Sequence, residues 1–182
     1  MTQFAYEHDG PIAMRYPRGN TTAWDESATG LIQLGKGMVL QDGSDVAIFA
    51  VGVLVETAIA VAEILKEQGL SVAVINARFV KPLDEKLLQK FAKSCQLIVT
   101  LEENVIAGGF GSAVSESLQQ SGTVVPVQTI GLPDRYISQG SPEQQREDAG
   151  LSVTKIVGSI TGRLKELTPG TQKQSKTIKK AS

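Results

Sequence analysis

One cysteine and one histidine are all that this 182-residue chain carries of thiol and imidazole metal ligands. Cys95 has no second thiol to pair with, and His8 has no other histidine or cysteine near it. A disulfide scaffold and a zinc cluster are both excluded. Charge of one sign is missing too: 18 Lys and Arg stand against 19 Asp and Glu, a formal net charge of -1, so there is no electrostatic footprint for nucleic acid. The longest mainly apolar run, Val46 to Val55, falls well short of the roughly 20 residues a bilayer crossing needs. The first ten residues lack the basic-then-apolar pattern of an export signal. Together these lacks point to a reducing compartment, with no nucleic acid and no membrane as partner.

What is present is enough apolar material for one ordinary core, 41% of the residues, but not for two large domains. Between Asp45 and Leu167 short apolar runs alternate with helical periods, the pattern of an α/β fold whose parallel sheet is covered on both faces. Val46–Val51 reads as a buried strand. Leu54, Ala58, Val61 and Leu65 then make one helical stripe, with Glu56, Ala60, Glu63 and Glu67 on the wet side and Gly69 as the stop. A strand over Ser71–Ala77 follows, then a short helix opened by Pro82 and Asp84 and running to Lys93. Gln96–Leu101 forms another strand, Gly108–Gly111 turns into a helix through Leu118, and Val124–Ile130 is a further β-branched run. Ser141, Pro142 and Gln144 spell N-cap, first helical position and capping box. That helix ends near Gly150, and a second starts at Ser152 with apolar residues at Val153, Ile156, Val157, Ile160, Leu164 and Leu167.

The ends differ from this middle. Pro11–Tyr16 reads as a strand and Pro17–Asn20 as a turn, while Thr21–Gly30 is polar and contains Trp24; so short a stretch builds no core alone. Beyond Thr168-Pro169-Gly170 the tail holds Lys173, Lys176, Lys179 and Lys180 without an acid, and its composition reads as disordered.

Five places carry candidate chemistry. Gly108-Gly109-Phe110-Gly111-Ser112, between a strand and a helix, has the setting of a phosphate loop, but Val114 stands where a dinucleotide fingerprint wants Gly or Ala and no P-loop lysine follows. Close packing of helix on strand is the better reading. Glu102 and Glu103 fall where a strand should end, on the ligand-binding side of such sheets. As neighbours in a strand they face opposite ways, which favours contact, capping or interface roles over paired acid–base work. His8 reads as an exposed loop residue, and Cys95 as a small buried filler with no histidine in its domain to activate it. Arg15-Tyr16-Pro17-Arg18-Gly19 is different: Pro17 restricts Tyr16, and Arg18 follows a stiff turn with Gly19 leaving room beside it. A guanidinium so held suits a phosphate, and a surface ion pair is the alternative.

Several of these segments together resemble the carboxy-terminal portion of the 1-deoxy-D-xylulose-5-phosphate synthases, transketolase-like enzymes dependent on thiamine diphosphate. The matching stretches are Gly10–Asn20, Gly35-Lys36-Gly37, Arg78–Asp84, Glu102-Glu103-Asn104 with Gly108–Ser112, and Gly131-Leu132-Pro133-Asp134, in an order that covers residues 10 to about 165. The resemblance implies a three-layer αβα domain of the transketolase C-terminal kind with a mostly parallel five-stranded sheet, preceded by the end of a pyrimidine-binding domain. The expected division is 1–22 for that end, 23–36 for a linker, 37–167 for the C-terminal domain and 168–182 for a disordered basic tail.

It further implies condensation of pyruvate with glyceraldehyde 3-phosphate, with loss of carbon dioxide, to a precursor of isoprenoids, thiamine and pyridoxal. Arg18 is implied to bind the aldehyde's phosphate. Thiamine diphosphate and magnesium would be held by segments absent from this sequence: no Gly-Asp-Gly followed later by Asn occurs, and Gln41-Asp42-Gly43 comes nearest. No catalytic, cofactor-binding or metal-binding residue is therefore expected here, and the chain alone is expected to be inactive. A homodimer, in a bacterial cytoplasm or a plastid, completes the expectation. Transketolase, a pyruvate dehydrogenase beta subunit and a free-standing interaction module are the alternatives; Arg18 in its motif argues against the first two. Ser138 in Ile137-Ser138-Gln139-Gly140 departs from the proline usual in the family.

Overall fold

The structure, a computed structural model, describes residues 1–16 and 31–167. The turn at Pro17–Asn20, Arg18 with it, the polar stretch Thr21–Gly30 and the lysine-bearing tail 168–182 lie outside the described residues.

Residues 46–50 alternate between two cores, and that alternation defines the layers. Val46, Ile48 and Ala50 of β2 (Val46–Ala50) face one apolar cluster, and Ala47 and Phe49 face the other. Both faces being covered, every residue of β2 is buried, which explains a strand without polar alternation. The first cluster is closed by α2 (Leu54–Glu67) and α6 (Val153–Leu167), through Leu54, Ala58, Val61, Leu65, Ile156 and Ile160. The second is closed by α3 (Glu85–Ser94) and α4 (Phe110–Gln120), through Leu88, Phe91, Phe110 and Val114. The result is the three-layer αβα domain that the pattern and the resemblance imply.

The sheet has five strands in the order β1-β3-β2-β4-β5, with β1 (Met38–Gln41), β3 (Val72–Asn76), β4 (Leu97–Val105) and β5 (Val127–Leu132) completing it. Val46 pairs in parallel with Val72 on one side and Leu97 on the other, and Ile98 with Val127. Only β1 runs antiparallel, against β3. Because β2 lies between β3 and β4, the chain reverses its direction of sheet growth there, and the C-terminal ends of these strands form the crevice at which open α/β sheets commonly bind ligands.

The punctuation holds at most ends. Gly69 (φ 86°) and Gly150 (φ 80°) take the left-handed conformation just past α2 and past α5 (Pro142–Asp148). Both halves of the Ser141/Gln144 capping box are made. Asp84, not Pro82, caps α3 by accepting from the Leu87 N–H.

Four expectations are corrected. Pro11–Tyr16 forms no strand: among the described residues none offers it a ladder, and Pro11 and Pro17 bracket it in sequence. Ahead of it is an unforeseen helix, α1 (Thr2–Glu7), which docks by the Phe4 ring meeting Phe79 edge-on at 5.6 Å. His8 is thus half-buried at the end of a helix, stacked on Phe4 at 5.8 Å, rather than loose in a loop. Finally, β5 begins at Val127: Val124 is 99% exposed and belongs to the approach.

Glycines 43 and 158 give opposite expectations. A Cβ on Gly43 would press into the backbone of Val72 and Ala73, whereas one on Gly158, inside α6, would meet nothing within 4 Å. Gly43→Ala should therefore lower unfolding free energy by about 3 kcal/mol, and Gly158→Ala should raise it by about 0.5–1 kcal/mol, both measured by urea denaturation.

Candidate functional site

The residues singled out from sequence gather in two knots, and each joins segments far apart in the chain. At the C-terminal end of β4, Glu102 is 3% exposed and turns inward while Glu103 turns outward. The strand runs on through both rather than ending before them, a correction to the expected Gln96–Leu101. The Glu102 carboxylate accepts from Phe110 N–H at 2.7 Å and Gly111 N–H at 2.8 Å, filling the N-terminus of α4 from the sheet side. Capping by a carboxylate matches both the unpaired amides and the positive end of the helix dipole.

The glycines around it make the approach possible. A Cβ on Gly109 would collide with the Glu102 carboxylate and the Val105 carbonyl; one on Gly111 would lie 2.7 Å from Thr100 Oγ1, and one on Gly131 2.8 Å from the Asn104 carbonyl. Close packing is thus the role of this loop. Its remaining amides are also engaged: Gly108 N–H donates to Ser112 Oγ at 3.0 Å and Gly109 N–H to the Ile106 carbonyl at 3.2 Å. No amide from 108 to 111 is left for a phosphate, and the carboxylate inside would repel one.

On the outer side of the same strand end, Glu103 is held twice. Its carbonyl accepts from Arg15 Nη2 at 2.6 Å, and its carboxylate pairs with Arg146 Nη1 at 3.1 Å, with both side chains of that pair about a third exposed. Arg146 also reaches Glu143, one turn earlier in α5, at 3.6 Å. Arg15 ties the chain just ahead of Tyr16 to the domain, but Arg18, the expected phosphate ligand, lies outside the described residues. Sequence reasoning missed Arg146; the signal was its being the one base in a helix without an apolar stripe.

The second knot binds the lead-in to the domain. The Asp84 carboxylate accepts from Gly37 N–H and Leu87 N–H, each at 3.2 Å, and pairs with Lys36 at 3.4 Å. A Cβ on Gly35 would lie 2.9 Å from Pro82 Cγ, so Gly35-Lys36-Gly37 fits only against Arg78–Asp84. Within that stretch Arg78 has φ 57°, its N–H held by Asn76 Oδ1 at 3.1 Å.

A surface groove of about 490 Å³ between α4 and β5 is lined by Ser112, Ser115, Glu116, Gln119, Thr129 and Asp134 among others, with no basic residue to receive an anion. Cys95 is buried, as expected of a filler; burial pushes its thiol above the ordinary value, opposed by a bond from Ser94, with Asp45 and Asp42 adding to the rise.

Residues 35–156 match the family described as transketolase, C-terminal domain. The chain belongs to that family. Among curated relatives of the transketolase C-terminal domain, the 1-deoxy-D-xylulose-5-phosphate synthase of Desulforudis audaxviator is 51% identical over 160 residues, which is 86% of this chain and 25% of that protein. The synthase of the same name from Thermosynechococcus vestitus is 47% identical over 154 residues, 84% of this chain and 24% of that protein. The chain thus spans about a quarter of the length of these relatives. Among solved structures, a "split gene transketolase, inactive beta4 tetramer" superposes with a TM-score of 0.69 at 32% identity, over 73% of this chain and 43% of that one. A transketolase from Campylobacter jejuni, at 18% identity, shares the fold over 79% of this chain and 20% of that one, with a TM-score of 0.52.

Transketolases imply thiamine diphosphate, and the described residues do not fit it: the glycine loop's amides are taken internally, and no three His, Cys, Asp or Glu side chains converge as a metal would need. Among the described residues no helix is long and apolar enough to cross a membrane.

Glu102→Ala should cost about 3 kcal/mol, because two N–H groups at a buried helix end lose a charged acceptor, and Glu102→Gln about half of that; chemical denaturation reads both. Cys95 gives a pH expectation. A thiol whose value is raised in the folded state contributes stability that is intact below its unfolded value and is lost as pH climbs through the folded one. Stability should fall above about pH 9, and less steeply in Cys95→Ala when both proteins are unfolded across pH 8 to 11.

Proposed function

We propose that this chain is the C-terminal domain of a 1-deoxy-D-xylulose-5-phosphate synthase, the transferase that joins pyruvate to glyceraldehyde 3-phosphate with release of carbon dioxide. One observation carries the reading: the five family-like segments, scattered from Gly10 to Asp134, meet in two knots, so the features shared with the synthases form one three-dimensional unit. Identities of 51% and 47% to proteins of that name, over most of this chain, support it.

In this reading the domain's work is architectural and substrate-directed. Asp84 and Glu103 fix the two ends of the lead-in on the α/β body, and Arg18 grips the phosphate of the aldehyde, where a planar guanidinium makes paired, charge-assisted bonds. Thiamine diphosphate and magnesium are held by the rest of the enzyme. The active species is a homodimer in a reducing compartment, a bacterial cytoplasm or a plastid, and its product serves isoprenoid, thiamine and pyridoxal synthesis. The chain by itself is inactive; the structural neighbour described as a "split gene transketolase, inactive beta4 tetramer" supports this.

In the complete synthase, Arg18→Ala should raise KM for glyceraldehyde 3-phosphate by about tenfold or more while KM for pyruvate stays within about twofold. Equal shifts in both would remove Arg18 from the phosphate site. Titration calorimetry on the chain alone should show no micromolar binding of thiamine diphosphate with magnesium.

A further inference from the structure

We propose that residues 133–150 form a flap against the C-terminal end of β4, latched by the Glu103–Arg146 pair, which opens by local unfolding as ionic strength rises while the α/β body stays folded. Such a flap belongs to this chain whatever the activity of the complete enzyme.

The segment is fastened firmly at its two ends and hardly between them. Leu132, the last residue of β5, packs on the first apolar cluster, and Leu151, 1% exposed, lies in that same cluster. From Pro133 to Gly150 no residue is buried, and Ala149 is the one that packs on the cluster. Opening the segment therefore gives up little of the apolar burial that holds the rest of the domain, which is the mark of a region that opens on its own. Gly150 (φ 80°), where an added Cβ would meet nothing within 4 Å, supplies a hinge just ahead of Leu151.

What holds the flap down is charge. Arg146 Nη1 meets the Glu103 carboxylate at 3.1 Å, and Lys155 Nζ reaches the Glu147 carbonyl at 2.6 Å and its carboxylate at 3.0 Å. The other ties, the Ser141/Gln144 capping box, Gln145 Nε2 on the Ser138 carbonyl and Arg146 on Glu143, lie within the segment. A helix of only seven residues does not persist in water on such ties alone, so α5 stands or melts with its latch. Both partners of the Glu103–Arg146 pair are about a third exposed, within reach of counterions that screen them.

The latch sits on the side of the sheet where open α/β folds commonly bind ligands. Closed, the flap spends the Glu103 carboxylate on Arg146; open, it leaves that carboxylate bare at the strand end, while the carbonyl of the same residue keeps Arg15 at 2.6 Å. The device thus switches one negative charge on that rim between paired and free.

Amide hydrogen exchange on the full chain tests this. The Gln145 and Ala149 amides, bonded to the Ser141 and Gln145 carbonyls, should exchange far faster than those of β2 and respond only weakly to urea, because little surface is exposed on opening. Arg146→Met and Glu103→Met should each quicken them about fivefold, and the double variant no more than either alone, since both substitutions remove one pair. Raising sodium chloride from about 0.02 M to about 0.5 M should quicken them in the unsubstituted chain and act much less on Arg146→Met. Exchange that follows urea as steeply as that of β2 would mean there is no separate flap. Exchange unmoved by salt or by either substitution, or additive effects in the double variant, would mean the pair does not latch it; any of these overturns the proposal. Protection of the β2 amides reports that the substituted chains are folded, and where one is not, the salt and urea dependence of the unsubstituted chain decides.

Discussion

A buried carboxylate at a helix N-terminus is the constraint around which this domain is arranged. Glu102 sits inside the protein, and an ion there is tolerable only with its oxygens satisfied. The Phe110 and Gly111 amides satisfy them, which sets α4 directly onto the end of β4. That closeness in turn forbids side chains at positions 109, 111 and 131, which would strike Glu102 and the Val105 carbonyl, the Thr100 and Thr129 side chains, and the Asn104 carbonyl, respectively. One charge thereby dictates three glycines, a helix position and the course of the neighbouring strand. It also explains why a loop with the outline of a phosphate cradle does no such work: the anion it holds is its own.

Glu103 shows how the adjacent residue serves another end. The pleat sends it to the opposite side, where it meets Arg146 and lends its carbonyl to Arg15. Asp84 does comparable work at the far end of the lead-in, binding Lys36 and Gly37 while it caps α3. In both knots a carboxylate or carbonyl at an element's end serves two segments at once. The family-like motifs are therefore joints between the α/β body and the chain entering it.

The helical stripes of α2 and α6 and the capping box of α5 were legible in sequence because each depends on local periodicity or on residues three apart. So was the parallel, doubly covered sheet, since strands buried on both faces read as unbroken apolar runs. The antiparallel β1 was not: all four of its residues are half-buried, and its pairing with β3 is a long-range choice that no local pattern records. β4 was read too short because Glu102 and Glu103 look like a strand's polar exit, when one is satisfied by a helix end and the other by Arg146. α1 escaped notice because it is held from outside, by Phe4 on Phe79, with nothing buried in the strict sense. At the site, the alternation of the two glutamates and the packing role of the glycines were legible from strand geometry. Arg146 was not, because a salt bridge between residues 43 apart leaves no local mark.

The edge-on contact of Phe4 with Phe79 bears on where this domain may be cut. The region shared with the transketolase family starts at residue 35, and a piece trimmed to that boundary would shed Phe4, His8 and Arg15 together. Phe79, now 7% exposed, would then lose a covering ring, and the Glu103 carbonyl would lose its guanidinium. The trimmed body would carry a bared aromatic and an uncovered strand end on one face, and so a greater tendency to stick to itself than the longer chain.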